Sequence, residues 1–169
     1  MITFSKQILW IMSKKVRNAT PVTHDGINFK SNLEGYCYLY FKKRKINLKY
    51  EECVLPIIGG FTSSLKAYIP ERKSKNRKSP LLLREMRSKI LPITYTPDFT
   101  YRYKNKLFII ECKGKPNDVY PYKRKLFFRY LTQIQKNKGG NFYFFEPHNQ
   151  KQIEQTFEII TKIINNESI

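Results

Sequence analysis

The sequence predicts an α/β (α+β) domain, a central mixed β-sheet flanked by helices. Three observations carry this. Apolar residues recur at helical spacing over 32–45 and 150–165, and a proline and a Gly-Gly pair bracket a third helical stretch over 121–135. Runs rich in Val, Ile, Tyr and Phe, bounded by turn residues, lie between them. The 169 residues are 41% hydrophobic and 15% aromatic, enough for one real core.

The elements follow in order. Residues 1–20 form a basic, weakly amphipathic arm, helical from Ser5 to Val16, ahead of a single domain at 21–169. Pro21 to Phe29 is a hairpin turning at Asp25-Gly26. A helix follows from Asn32 to Lys45, with Ser31 as its N-cap and Leu33, Cys37, Tyr40 and Phe41 as its buried stripe. Its last turn carries Lys42-Lys43-Arg44-Lys45, where cations suit the helix dipole. Leu48 to Ile58 is a strand that Gly59-Gly60 ends. A basic insertion occupies 59–89, with a short helix at Leu81 to Lys89. Ile90 to Tyr103 and Leu107 to Lys113 are strands joined by a turn at Lys104-Asn105-Lys106. Pro121 to Gln135 is a helix that stops before Gly139-Gly140, Asn141 to Glu146 a strand, and Gln150 to Asn165 the closing helix.

Composition narrows the function. The net charge is +19 and the pI is near 9.9, which points to a polyanionic partner, most often nucleic acid. Within the insertion, nine Lys or Arg stand against two acids between Lys66 and Lys89. Lys73, Lys75, Arg77 and Lys78 are therefore candidate phosphate contacts, against the plainer reading of a solvated loop. The three cysteines lack C-x-x-C spacing, so they read as reduced thiols rather than a disulfide frame or a zinc finger. The apolar run at Ile8 to Met12 is too short for a signal-peptide core or a membrane span. A cytoplasmic protein is expected, with no membrane partner. Walker A, G-x-G-x-x-G and G-x-S-x-G patterns are absent, and only two histidines are present, so no small-molecule cofactor is expected.

One constellation carries chemistry. Asp98 follows Pro97 on one predicted strand, and Glu111-Cys112-Lys113 lies on the next. Side chains alternate, so Glu111 and Lys113 share a face while Cys112 points away. The tight hairpin brings Asp98 alongside Glu111. Two carboxylates that close repel, and a divalent cation relieves the repulsion. An all-oxygen ligand set favours Mg2+, with Mn2+ as substitute. Lys113 would orient or deprotonate a water and stabilise charge on a phosphodiester transition state.

Pro-Asp, twelve residues, then Glu-x-Lys resembles the core of the PD-(D/E)XK nuclease superfamily. The segment His24 to Glu34 is similar to the opening of small phage and bacterial proteins like the endonuclease I-type Holliday junction resolvases. Ile93 to Phe99, Ile110 to Gly114, Asp118 to Tyr120 and Lys123 to Phe127 resemble the same group. The resemblance covers Val22 to Phe128 apart from residues 59–89, and neither terminus shares it. It implies a restriction-endonuclease-like core, with Glu34, Asp98 and Glu111 as acidic site residues and metal ligands and Lys113 as catalytic lysine. It also implies metal-dependent hydrolysis of DNA, often branched DNA in recombination, and often by a homodimer. In a phage the setting would be the host cytoplasm.

Plainer readings stand beside these. Ser31-x-x-Glu34 is a capping box, so Glu34 has a structural use. Glu111 and Lys113 form a structural ion pair in the competing account. Lys115, Lys123 and Arg124 are either a solvated face or backbone contacts for DNA. The Phe142 to Phe145 aromatics read as core, and His148 as inert. The alternatives to a DNA endonuclease are a non-catalytic nucleic-acid-binding protein on the same fold and a nuclease of RNA or single-stranded ends.

Overall fold

The computed structural model describes residues 20–72, 78–114 and 118–166. The proposed N-terminal arm, but for its last residue, lies outside them. The first hairpin pairs β1 (Val22–His24) with β2 (Ile27–Phe29). Its turn residues Asp25 and Gly26 both have positive φ, 52° and 75°, the mirror-image turn that Asp-Gly favours. Helix α1 (Asn32–Lys43) starts at Ser31, whose hydroxyl accepts the Glu34 N–H at 3.2 Å. Cys37 and Phe41 are fully buried. Gly35 lets α1 close on β1, because a Cβ there would stand 2.5 Å from Val22 Cγ2.

The strand expected over 48–58 is two strands. β3 (Lys49–Tyr50) ends at Glu51, which takes a φ of 42°, and β4 (Leu55–Ile58) sets out in another sheet. The left-handed turn at Glu51 costs about 1–2 kcal/mol, and its N–H is used by the Asp98 carbonyl at 2.9 Å.

The strand expected over 90–103 also divides, into β8 (Lys89–Ile90), β9 (Ile93–Tyr95) and β10 (Phe99–Tyr103). Pro92 and Pro97 sit at the breaks, where a missing N–H cannot serve a ladder. Pro97-Asp98 therefore lies at a bend before β10 and not within a strand.

Among the described residues of the insertion, the short helix expected at Leu81 to Lys89 is not formed, and paired strands lie there and at its flanks. β4 pairs with β9, β5 (Phe61–Thr62) with β8, and β6 (Tyr68–Arg72) with β7 (Leu81–Glu85). Leu81 to Glu85, expected as the start of a helix, finds a full antiparallel partner in Tyr68 to Arg72, and the ladder outweighs local helix preference.

The main sheet has the order β12-β11-β10-β3. β10 runs antiparallel to β11 (Lys106–Ile110), with Lys104 at φ 50° in the turn. β11 runs parallel to β12 (Asn141–Phe145) and is joined to it through α2 (Tyr120–Lys138). A parallel pair needs such a crossover. Gly139 and Gly140, at φ 70° and 97°, end α2. Helix α3 (Gln150–Asn165) starts at Asn149, whose side chain accepts the Gln152 N–H.

Alternation along β11 separates two cores. Phe108 and Ile110 pack with Cys37, Phe41, Ile153 and Ile160 of α1 and α3. Ile109 packs with Tyr120, Phe127 and Leu131 of α2. The sheet is thus mixed and lies between two helical layers, as the α+β reading expects. Among the described residues no helix is long and apolar enough to cross a membrane.

Candidate functional site

The register Phe99↔Ile110 puts Asp98 and Glu111 side by side at one end of the sheet, just beyond β10 and β11. The Asp98 N–H reaches Glu111 Oε2 at 3.3 Å. The Cys112 N–H donates to Asp98 Oδ2 at 2.8 Å. Residues 111–113 stay beside the end of β12, with Glu111 N on Phe145 O at 2.9 Å and Lys113 N on Pro147 O at 3.0 Å. Backbone bonds on both flanks hold the two carboxylates in place. The Lys113 ammonium pairs with Glu111 Oε1. Cys112 turns the other way, into the core with Cys37, as strand alternation requires.

Asp98 and Glu111 are 8% and 4% exposed, and Glu34 is 6% exposed. Carboxylates that deep need partners. Burial, then Glu111, then Glu34 push the Asp98 carboxyl well above its usual range, against Lys113 and the Cys112 N–H. Burial opposes the charge on Lys113, but Glu111 and Asp98 outweigh it and hold the ammonium above its ordinary value. An ammonium so held donates and neutralises. This favours the orienting and charge-stabilising role for Lys113 over that of proton acceptor.

Glu34 stands in the electrostatic surroundings of both Asp98 and Lys113, but its oxygens are engaged. Oε2 accepts from Lys30 N at 3.0 Å and Tyr50 OH at 2.7 Å, and Oε1 from Ser31 Oγ at 2.8 Å. This is a capping arrangement shifted by one residue, since the carboxylate serves the Lys30 N–H. Burial and Glu34 together push the Tyr50 phenol up. Among the described residues, no group of three or more His, Cys, Asp or Glu stands placed to hold a metal ion.

No family model, curated protein or solved structure matches the chain.

Around Lys113 stands a rim of which the sequence marked Arg124 alone as a functional candidate, for DNA contact. The Lys113 ammonium lies 4.5 Å from the Tyr120 ring centroid. The Tyr120 hydroxyl donates to Glu146 Oε2 at 2.9 Å, and Arg124 Nη1 donates to the same oxygen at 2.7 Å. His148 bridges Glu146 Oε1 at 3.2 Å and the Gly114 carbonyl at 3.4 Å. Buried Tyr95 has its hydroxyl in the electrostatic surroundings of Glu111 and Tyr120 and stacks on Phe127 at 4.1 Å. Tyr120 and Arg124 stand four apart on one helix face, a spacing the sequence shows.

The expected nucleic-acid contacts divide. Arg124 is tied to Glu146, and Lys123 Nζ reaches Thr94 O at 3.5 Å. Lys78 is exposed just before β7. Lys73, Lys75, Arg77 and Lys115 lie outside the described residues.

Proposed function

We propose that this protein is a metal-dependent endonuclease of DNA, with a restriction-endonuclease-like core and a preference for branched substrates. The observation that carries the reading is the juxtaposition of Asp98, Glu111 and Lys113 at the end of two central strands. Two buried carboxylates share one ammonium, and Asp98 is left short of positive charge. A hard divalent cation, Mg2+ or Mn2+, fits that deficit and that all-oxygen donor pair. Asp98 and Glu111 would hold it, and Glu34 would join them on leaving part of its cap. Bound there, it would polarise the phosphodiester and acidify a water. Lys113 would steady the attacking water and the charge that develops on phosphorus. The +19 charge would supply phosphate binding without base reading. Cutting two opposed strands of a junction would require two copies of the chain.

The deciding experiment incubates the protein with an end-labelled four-way junction, a matched duplex, a single strand and an RNA, in Mg2+ and in EDTA, with Lys113→Ala alongside. Metal-dependent paired nicks in the junction that the variant loses support the reading. A second reading has its own observation: Glu34 is fully bonded in a cap, and Glu111 is already paired with Lys113. On that reading the protein binds nucleic acid without cutting it. Tight binding in EDTA, with no cuts in Mg2+ or Mn2+, would select it.

A further inference from the structure

Alone among the three helices, α2 carries no acid. Its cations are Lys123, Arg124, Lys125, Arg129, Lys136 and Lys138. Arg124 is tied to Glu146, and Lys123 reaches the Thr94 carbonyl. Lys125, Arg129 and Lys136 are exposed, and among the described residues no hydrogen bond or ion pair engages them. They stand four and seven residues apart, so they follow one side of the helix. The neighbouring acids are confined to its first turns: Asp118 precedes Tyr120, and Glu146 sits against Tyr120 and Arg124.

Beside this stripe, α2 and β4 leave a cleft of about 290 Å3. Ile57 and Ile58 line it from the strand, and Leu126, Arg129, Tyr130 and Gln133 from the helix. The four helix residues stand three and four apart and share one face. Ile57 is buried and Ile58 is 37% exposed at the edge. The cleft is thus part aliphatic and part phenol ring, with a guanidinium and an amide on its helical side. Among the described residues, neither of those polar groups has another hydrogen-bonding partner. The phosphates of a continuous duplex gain nothing from Ile57, Ile58 and Leu126. A purely apolar ligand would leave three free cations unused beside it. An unpaired nucleobase matches both parts. Its faces pack on ring and aliphatic carbon, its edge meets an amide that donates and accepts, and its own strand brings the anions.

We propose that the α2–β4 cleft holds one unpaired nucleobase of a single-stranded stretch, with the flanking phosphates on Lys125, Arg129 and Lys136. This goes beyond the endonuclease reading and stands whether or not the carboxylates cut. Where they do cut, the cleft selects among substrates. Tyr120 adjoins Lys113, and Arg129 lies nine residues further along the same helix. That is about 14 Å of helix, or about four phosphate steps along a strand. A base held there must leave its stack, which an open or branched strand allows at less cost than continuous duplex.

The test is fluorescence anisotropy of the full chain in EDTA, which keeps it apart from any cleavage result. The probes are a labelled oligothymidylate and a labelled duplex of the same length. Ile58→Asp places a charge at the exposed edge of the cleft, and Tyr130→Ala removes its ring. Each should weaken single-strand binding by roughly fivefold or more, the worth of one stacked base, and duplex binding by less than about twofold. Tyr130→Phe keeps the ring and should bind within about twofold of wild type. Lys43→Ala, on α1 across the sheet from α2, should lower both affinities alike and so shows what loss of charge alone does. Circular dichroism checks that each variant is folded, and Ile58→Asp carries the test if Tyr130→Ala is not. Single-strand binding that Ile58→Asp leaves unchanged would overturn the proposal. Equal losses on both probes would assign the face to phosphates alone and overturn it too, as would a Tyr130→Phe as weak as Tyr130→Ala.

Discussion

Lys113 and Glu111 stand two residues apart on one face of the chain and share an ion pair, with the carboxylate 5% and the ammonium side chain 25% exposed. The pair is half-open, and Asp98 lies beside it. Lys113 is thus the cation for two carboxylates at once.

Removing that cation has a stability consequence as well as a catalytic one. Lys113→Ala leaves Glu111 and Asp98 without a counter-ion and should destabilise the fold by about 1–3 kcal/mol, the open side of the pair tempering the loss. Cleavage, on the proposed reading, should fall by roughly 10²–10³. The double variant Glu111→Gln/Lys113→Ala should recover most of the stability and none of the cleavage. Urea melts and junction cutting, measured on the same preparations, separate the two effects.

Glu34 permits a cleaner division. Alanine there deprives the Lys30 N–H and the Ser31 and Tyr50 hydroxyls of their acceptor and should cost about 1–2 kcal/mol. Glutamine keeps an oxygen in place and removes the charge. Glu34→Gln should therefore melt within about 0.5 kcal/mol of wild type. If Glu34 also serves the metal, this variant loses cutting while keeping its fold. If it cuts normally, the cap is the whole of its role.

How far the sequence reached follows from what its signals encode. Asp25-Gly26, Ser31 and Gly139-Gly140 act through local backbone geometry, and the elements they bound stand where expected. Asp98 and Glu111 were legible because a tight turn fixes strand register, and register fixes neighbours. The breaks at Glu51 and Pro97 were missed, since periodicity alone carries an apolar run through a bend. The ribbon at β6–β7 was missed because its two strands are separated by a basic stretch of sequence, and Leu81 to Leu83 suits helix and strand alike. Glu146 was missed for another reason. It joins Tyr120, Arg124 and His148 only once α2 has crossed over to bring β12 beside β11.

Glu146 gives a prediction in pH. Burial pushes its carboxyl up, but the hydrogen bonds from Arg124 and Tyr120 outweigh that and hold it below its usual value of 4.5. A lowered folded value stabilises the protein above the unfolded value, and the gain is lost as pH falls through the folded one. Glu146→Gln should thus melt a few degrees below wild type at pH 7. The gap should close as pH falls below 4.5. A gap that stays constant down to pH 3 would mean that the loss is one of packing and not of charge.

Asp98 runs in the opposite direction. Its folded value is raised, so the protonated form is favoured in the fold. Its contribution is fully present below the unfolded value near 3.8 and declines as pH rises toward the folded one. The raised value is thus a burden on the fold at neutral pH, where the unfolded carboxyl ionises freely. Asparagine keeps an oxygen for the Cys112 N–H and sheds the charge. In EDTA at pH 7.5, Asp98→Asn should melt above wild type, with the difference shrinking toward pH 4. Mg2+ should then raise the melting point of wild type and leave the variant unmoved, since an ion that binds only the folded state stabilises it by mass action. A variant less stable than wild type at pH 7.5 would show that Asp98 contributes more through its hydrogen bonds than its charge costs. A wild type indifferent to Mg2+ would remove the argument that a cation belongs between Asp98 and Glu111.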